Sequence, residues 1–304
     1  MQLRHNILYL ILVPALILLA VVPAHAQSSD AIASQYATVN GVKLHYLRAG
    51  HGPALILLHG YAETSRMWVP AIPVFAAKFT VIAPDLPGIG DSDIPSSGLN
   101  MKSAAVLIHA LVKSLQIDKA RVVGHDIGLM VAYAYATQFP SETEKLVLMD
   151  AFLPGVDGWE PYYNNPSIWH FRFNGPTPEA LVAGRERIYF EHFWNDFAAD
   201  KTHSIPEADR VAYTKAYSRP DRMRAGWAYF VVFTQTAKEF AELAHTKLTM
   251  PVLSISGDKA SAATLAPQTR LIAVDGQAVI LKNTGHWLME ENRAETMAAL
   301  QKFL

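Results

Sequence analysis

Hydrophobic and polar residues alternate over 36–39 and again over 42–47, on either side of Asn40-Gly41. Alternation sends every second side chain to one face of a strand. An Asn-Gly pair tolerates positive φ at both turn positions, which a tight hairpin requires. Two antiparallel strands are therefore predicted at the start of a sheet. After Gly50-His51-Gly52-Pro53 the pattern changes to unbroken apolar runs at 54–58 and 80–83, the kind a strand shows when both its faces are covered. Similar runs recur at 121–124, 145–149 and 252–256, with a shorter one at 278–281. Between them lie stretches with apolar residues at helical spacing: 65–77, interrupted by Pro70 and Pro73, then 101–115, 127–138, a helix near 267–271 and a closing helix at about 292–304. Strands alternating with helices at this spacing predict the α/β class with a doubly wound, mostly parallel sheet.

From 151 to 246 the alternation stops. About 19 of the 31 aromatic residues fall in this stretch, and its periodicity is helical, over 177–197, 206–217 and 220–244, with breaks at Asn164-Asn165-Pro166 and Arg219-Pro220. It reads as a helical cap inserted into the sheet domain, so the core is expected to comprise 27–150 and 247–304 and the cap 151–246. At the start of the chain, Arg4 and His5 precede an apolar run over 7–22, and Ala24-His25-Ala26 supplies the small residues of a signal-peptidase site. The segment 1–26 therefore reads as a secretory signal, with a mature chain from about Gln27 that is exported to the periplasm or beyond. The apolar run is short for a membrane span.

Composition narrows the function classes. At 51% hydrophobic and 17% charged, the 304 residues suit a globular fold and exclude a disordered chain. A formal net charge of -1, with no basic run, gives nothing to recruit nucleic acid or an anionic membrane. There is no cysteine, so neither disulfides nor thiolate metal sites are possible. Small uncharged ligands are the expected partners.

The chemistry gathers at Gly124-His125-Asp126-Ile127-Gly128, where a buried strand turns into a helix. Small residues flanking a strained strand-to-helix turn are the nucleophile elbow of the α/β-hydrolase fold. Asp126 stands where that elbow usually carries serine, and a carboxylate is already ionised at neutral pH and attacks an electrophilic carbon without a base. An Asp at this point is equally suited to capping the following helix. Two further residues favour chemistry. Asp150 ends the next strand, and His286, in Thr284-Gly285-His286-Trp287, follows the last one. Nucleophile, acid, histidine is the chain order of this fold, and functional groups collect at the carboxyl ends of parallel strands. His286 is expected to activate water against the Asp126 ester, with Asp150 orienting the imidazole. Asp258, in Ser256-Gly257-Asp258, also follows a strand and is the competing acid, to which Asp150 is preferred. The backbone N–H groups of Ile127 and Tyr61 are the expected oxyanion donors. His59 reads as a brace for its loop, and the Gly/Pro segment from Asp85 to Ser92 as a structural turn, because no P-loop lysine follows it. Neither a metal nor an organic cofactor is indicated, since water is the second substrate.

His59-Gly60-Tyr61, Asp85-Leu86-Pro87-Gly88-Ile89-Gly90, the Asp126 elbow and Gly285-His286-Trp287 together resemble the epoxide hydrolase and dehalogenase branch of the α/β-hydrolases. In the cap, Ile168-Trp169-His170-Phe171 and the stretch from Leu181 to Phe193 resemble the secreted bacterial epoxide hydrolases of the Cif type. That resemblance implies an epoxide substrate, a homodimer, and a cap His and Tyr that open the ring, positions that correspond here to His170 and Tyr229. It also implies a triad acid at Asp150, where Glu is usual, and Ala62 departs from the usual Pro. A ring-opening donor is needed in any case, because an alkoxide leaves poorly unless it is protonated, and Tyr and His both qualify. From the residues alone, Tyr162, Tyr163, Tyr213 and Tyr217 are rivals to Tyr229.

Two other readings compete. A haloalkane or haloacid dehalogenase would use the same Asp, but it places Trp or Arg beside the nucleophile, where this chain has Ile127. An exported binding or effector protein could keep the fold without the activity.

Overall fold

The computed structural model describes residues 31–304 apart from Ser97; the expected signal segment 1–26 lies outside the described residues. Eight strands form one sheet: β1 (Ala33–Val39), β2 (Val42–Ala49), β3 (Ala54–Leu58), β4 (Thr80–Pro84), β5 (Ala120–His125), β6 (Thr143–Met149), β7 (Val252–Gly257) and β8 (Gly276–Leu281). Their order is β1-β2-β4-β3-β5-β6-β7-β8. β1 and β2 form the expected hairpin, Val39 facing Val42 across Asn40 and Gly41, whose φ values are 50° and 78°. β2 also runs antiparallel to β4, and every pairing from β4 to β8 is parallel.

The unbroken apolar runs have the physical cause expected of them. Along β3, Ile56 and Leu58 point into one apolar cluster while Leu55 and Leu57 point into another on the opposite face. Val122 and Val123 divide in the same way. One face is covered by α1 (Ile72–Ala76), and the other by α2 (Met101–Ser114) and α3 (Ile127–Gln138). α2 begins with a reciprocal cap in which the Asn100 side chain accepts the Ser103 N–H and the Ser103 hydroxyl accepts the Asn100 N–H.

Between β6 and β7 the chain is helical: α4 (Glu160–Tyr163), a 3-10 segment (Pro166–Arg172), α5 (Pro176–Val182), α6 (Glu186–Asp196), α7 (Glu207–Tyr217), α8 (Arg222–Val231) and α9 (Phe233–Ala244). Two expected helices are each divided. The one at 177–197 breaks at Gly184, whose φ of 74° stops a right-handed helix. The one at 220–244 breaks at Val232, which leaves helical geometry at φ −93° and ψ 12°. After β7, α10 (Ala262–Ile272) begins five residues before its expected start and contains Pro267; α11 (Leu288–Glu291) and α12 (Arg293–Phe303) close the chain. α12 packs Leu300 with α11's Leu288 and Met289 on the α1 face. Among the described residues, no helix is long and apolar enough to cross a membrane.

The chain passes from β3 to β4 on one side and returns to place β5 on the other. The carboxyl ends of β3 and β5 therefore flank the point where the winding reverses, the crevice in which open α/β sheets hold ligands. The helical segment covers that edge.

Candidate active site

Asp126 sits between β5 and α3 at φ 50° and ψ −120°. Such a conformation costs of order 1–3 kcal/mol for a residue with a side chain and persists only where its surroundings enforce it. Here the flanking glycines permit it. A Cβ on Gly124 would lie 2.1 Å from the Gly128 carbonyl oxygen, and one on Gly128 would lie 2.5 Å from the His59 carbonyl oxygen. The helix-capping alternative fails, because the Asp126 side chain makes no cap hydrogen bond. Instead its Oδ2 accepts the backbone N–H of Tyr61 at 2.8 Å. Ile127 is buried as the first residue of α3, where an N–H has no intrahelical acceptor.

His59 braces this loop. Its Nε2 accepts the Leu86 N–H at 2.9 Å and its Nδ1 donates to the Gly60 carbonyl at 2.7 Å. That pattern needs the neutral ring, and burial lowers its pKa accordingly.

Asp150 and His286 are brought together from 136 residues apart in sequence, with His286 Nδ1 3.1 Å from Asp150 Oδ2. Asp150 is fully buried at a φ of 35°. Its other oxygen accepts the Ser261 N–H at 3.0 Å and the Ser261 hydroxyl. A buried carboxylate without such donors would cost several kcal/mol and take up a proton instead. Asp258, the competing acid, instead accepts the Thr284 N–H at 3.3 Å and lies 4.0 Å from Lys282, away from the imidazole.

A second buried pair supports His286 from behind. His125 Nδ1 lies 3.0 Å from Glu63 Oε2, and its Nε2 donates to the His286 carbonyl at 3.0 Å. Both of its nitrogens face acceptors, so the ring is held as an imidazolium. Burial alone would lower its pKa, but the Glu63 charge and hydrogen bond outweigh burial and raise it to about 9. Glu63 was not singled out in the sequence. Its only local mark is a carboxylate three residues after Gly60.

Asp126 and His286 line a narrow, partly open cavity of about 30 Å³. The rest of its wall is largely aromatic, from Tyr61, Phe152, Tyr162, Phe171, Phe193, Phe197 and Trp287, and His170 also reaches it. The His170 ring is 5% exposed and lies parallel to the Tyr61 ring at 6.4 Å, with Phe193 and Phe230 edge-on to it at 4.8 and 5.4 Å. Burial, with minor help from His192 and His286, lowers its pKa to about 3, so it is neutral at working pH. Its Nδ1 has no hydrogen-bond partner.

Tyr229 requires correction. It does not line the cavity, and its hydroxyl donates to the Pro87 carbonyl at 2.9 Å, inside the core. The reason is helical rotation. Successive residues on α8 turn by about 100°, so Phe230 takes the side facing Tyr61 and His170 while Tyr229 faces away. Of the four rival tyrosines, Tyr162 reaches the cavity and Tyr163, Tyr213 and Tyr217 do not.

Comparison with known proteins bears on the fold. Residues 53–293 match the family described as alpha/beta hydrolase fold. The chain is 30% identical over 282 residues to the soluble epoxide hydrolase of Corynebacterium sp. (strain C12), covering 90% of this chain and 98% of that one. Among solved structures, it is similar to Cfl2 of Burkholderia cenocepacia, with a TM-score of 0.81 and 32% identity over 89% of this chain and 95% of that one. It is also similar to the Cif epoxide hydrolase of Acinetobacter nosocomialis, with a TM-score of 0.82 and 26% identity over 90% of this chain and 89% of that one. A sheet wound around the β3–β5 crevice, with a strained elbow at its centre and a family match over most of its length, makes this chain a member of the α/β-hydrolase fold family.

Proposed function

We propose that this protein is an epoxide hydrolase working through an ester on Asp126. One Asp126 oxygen attacks a ring carbon, the ring C–O bond breaks, and the oxygen takes a proton from a cap donor, His170 being one. His286 then removes a proton from water, and the resulting hydroxide attacks the Asp126 carbonyl carbon. Asp150 holds the imidazole and stabilises its charge, while the Tyr61 and Ile127 N–H groups stabilise the oxyanion. The diol leaves and Asp126 is restored. Two relatives named as epoxide hydrolases support the substrate class.

The observation that carries epoxide over halide is the state of the donors around Asp126. A departing halide needs a cluster of free N–H groups, and among the lining side chains only His170 offers one. The one indole lining the cavity, Trp287, already donates to the Phe193 carbonyl at 3.2 Å. No Arg or Lys is among the lining residues to clamp a haloacid carboxylate.

One turnover of a simple terminal epoxide in heavy-oxygen water, followed by peptide mass mapping, tests this. Label in the Asp126 carboxylate and diol in solution are expected. Unlabelled Asp126 with diol formed would mean that water attacks the epoxide directly, and halide release from matched alkyl halides without any diol would reverse the substrate class. The proposal includes export after removal of 1–26 and a homodimer. Mass measurement of protein from the periplasm and medium should find a chain starting near Gln27, and sedimentation should give twice the chain mass.

A further inference from the structure

We infer that the Tyr162 hydroxyl is the second acid of ring opening, in the place that resemblance gave to Tyr229. This rests on the epoxide reading above. Five groups with polar side chains line the cavity beside Trp287: Tyr61, Asp126, Tyr162, His170 and His286. Asp126 and His286 are the nucleophile and base. The Tyr61 hydroxyl is engaged with the Tyr189 hydroxyl at 3.3 Å, which also receives the Trp227 N–H at 3.0 Å. The Trp287 N–H is spent on Phe193. His170 and Tyr162 are left as lining donors with no hydrogen-bond partner among the described residues.

The fold fixes Tyr162 there. It lies on α4, a single turn with Pro161 in its first positions, twelve residues after Asp150 at the end of β6. Its ring packs against Phe152, another lining residue, at 4.8 Å. Burial, then the charges of Asp150 and Asp126, push its pKa up. The same carboxylates that keep the phenol protonated are those beside which a developing alkoxide must find a proton.

The step balances. An Asp126 oxygen forms a bond to the ring carbon, the ring C–O bond breaks with its electron pair on oxygen, and that oxygen takes the Tyr162 proton while His170 donates a hydrogen bond. The tyrosinate later recovers a proton equivalent to the one His286 takes from water. Epoxide and water become diol.

Tyr162 also lines a surface cleft next to the cavity, together with Ile168, Phe197 and His286, so the residue stands in the wall between them. A wall alone would be preserved by Tyr162→Phe, which removes only the oxygen.

The test uses the full chain. Tyr162→Phe is expected to lower kcat/KM for a terminal epoxide by about 100- to 1,000-fold, within the range for a lost general acid. In a His286→Gln background, where the ester accumulates, intact mass should show adduct forming more slowly by the same factor. With His286 present, decay of a preformed ester should keep its rate, which general damage to the site would not allow. Tyr229→Phe should form adduct at the parent rate. An unchanged adduct rate in Tyr162→Phe, or a slowed one in Tyr229→Phe alone, overturns the assignment while leaving the epoxide reading intact. Absence of epoxide turnover by the unaltered protein overturns both.

Discussion

Strain belongs to Asp126 and pairing with Asp150 to His286, so single substitutions at Asp126 and His286 should separate the two half-reactions. Asp126→Asn removes the ionised nucleophile and should abolish turnover, measured as diol release. His286→Gln should still be alkylated and should stall as the ester, seen as a mass increase of one substrate on the Asp126 peptide. An adduct elsewhere, or none, would contradict the roles given to these two residues.

The Glu63–His125 pair makes a prediction about stability. The folded pKa of His125, about 9, lies above its ordinary value of 6.5. The pair therefore contributes fully below about pH 6.5 and its contribution is lost as pH rises through 9. A shift of that size corresponds to about 3 kcal/mol, at order of magnitude. Denaturant titrations of the parent and His125→Gln should differ most near pH 6 and converge towards pH 9.5. A gap that stays constant with pH would mean that packing alone accounts for the loss. In Glu63→Gln the support behind the His286 carbonyl should weaken, lowering stability in the same direction.

At the scale of elements, glycine positions decide more than helix propensity does. Gly128→Ala drives a Cβ against the His59 and Leu58 carbonyls, atoms of β3 and its loop that cannot step aside. Several kcal/mol of destabilisation are expected, read as a large fall in Tm or loss of soluble protein, whereas Gly158→Ala, with nothing within 4 Å but a φ of 89°, should cost only the backbone strain of about 1–2 kcal/mol. A tolerated Gly128→Ala would mean that the elbow is less tightly enforced than its contacts imply.

The helix breaks at Gly184 and Val232 show what periodicity leaves open. Apolar residues continue at helical spacing across both breaks, so the pattern alone reads as one helix. At Gly184 the signal was present, since an unfavoured residue sat inside the run. At Val232 no local residue marks the break, and packing of α8 against the 3-10 segment and of α9 elsewhere sets it.

Across the whole molecule the cap is bound into the core. Trp194 donates to the Ala62 carbonyl, Tyr217 to that of Glu63 and Trp287 to that of Phe193, while the His286 N–H donates to the Phe197 carbonyl. Phe190, Trp194, Trp227 and Phe240 belong to the same apolar cluster as Ile56, Val122 and Leu148 of the sheet. Cap and sheet should therefore unfold together. Near-ultraviolet and far-ultraviolet circular dichroism should report one coincident denaturant transition; two separated transitions would show that the cap holds an independent core.

The positions of the strands along the chain, the hairpin, the elbow and the chain order of Asp126, Asp150 and His286 were determined by the sequence itself. Each depends on residues adjacent in the chain: alternation, unbroken apolar runs, glycines around a turn, and polar residues where strands end. Tertiary structure alone decided which groups face one another. Asp150 rather than Asp258 meets His286, Glu63 meets His125, Phe230 rather than Tyr229 packs on Tyr61 and His170, and Tyr162 lines the cavity with Asp126. A helix turns by about 100° per residue. Which of two neighbouring aromatic residues looks into the site is therefore set by how the whole cap packs on the sheet, and no local pattern carries that information.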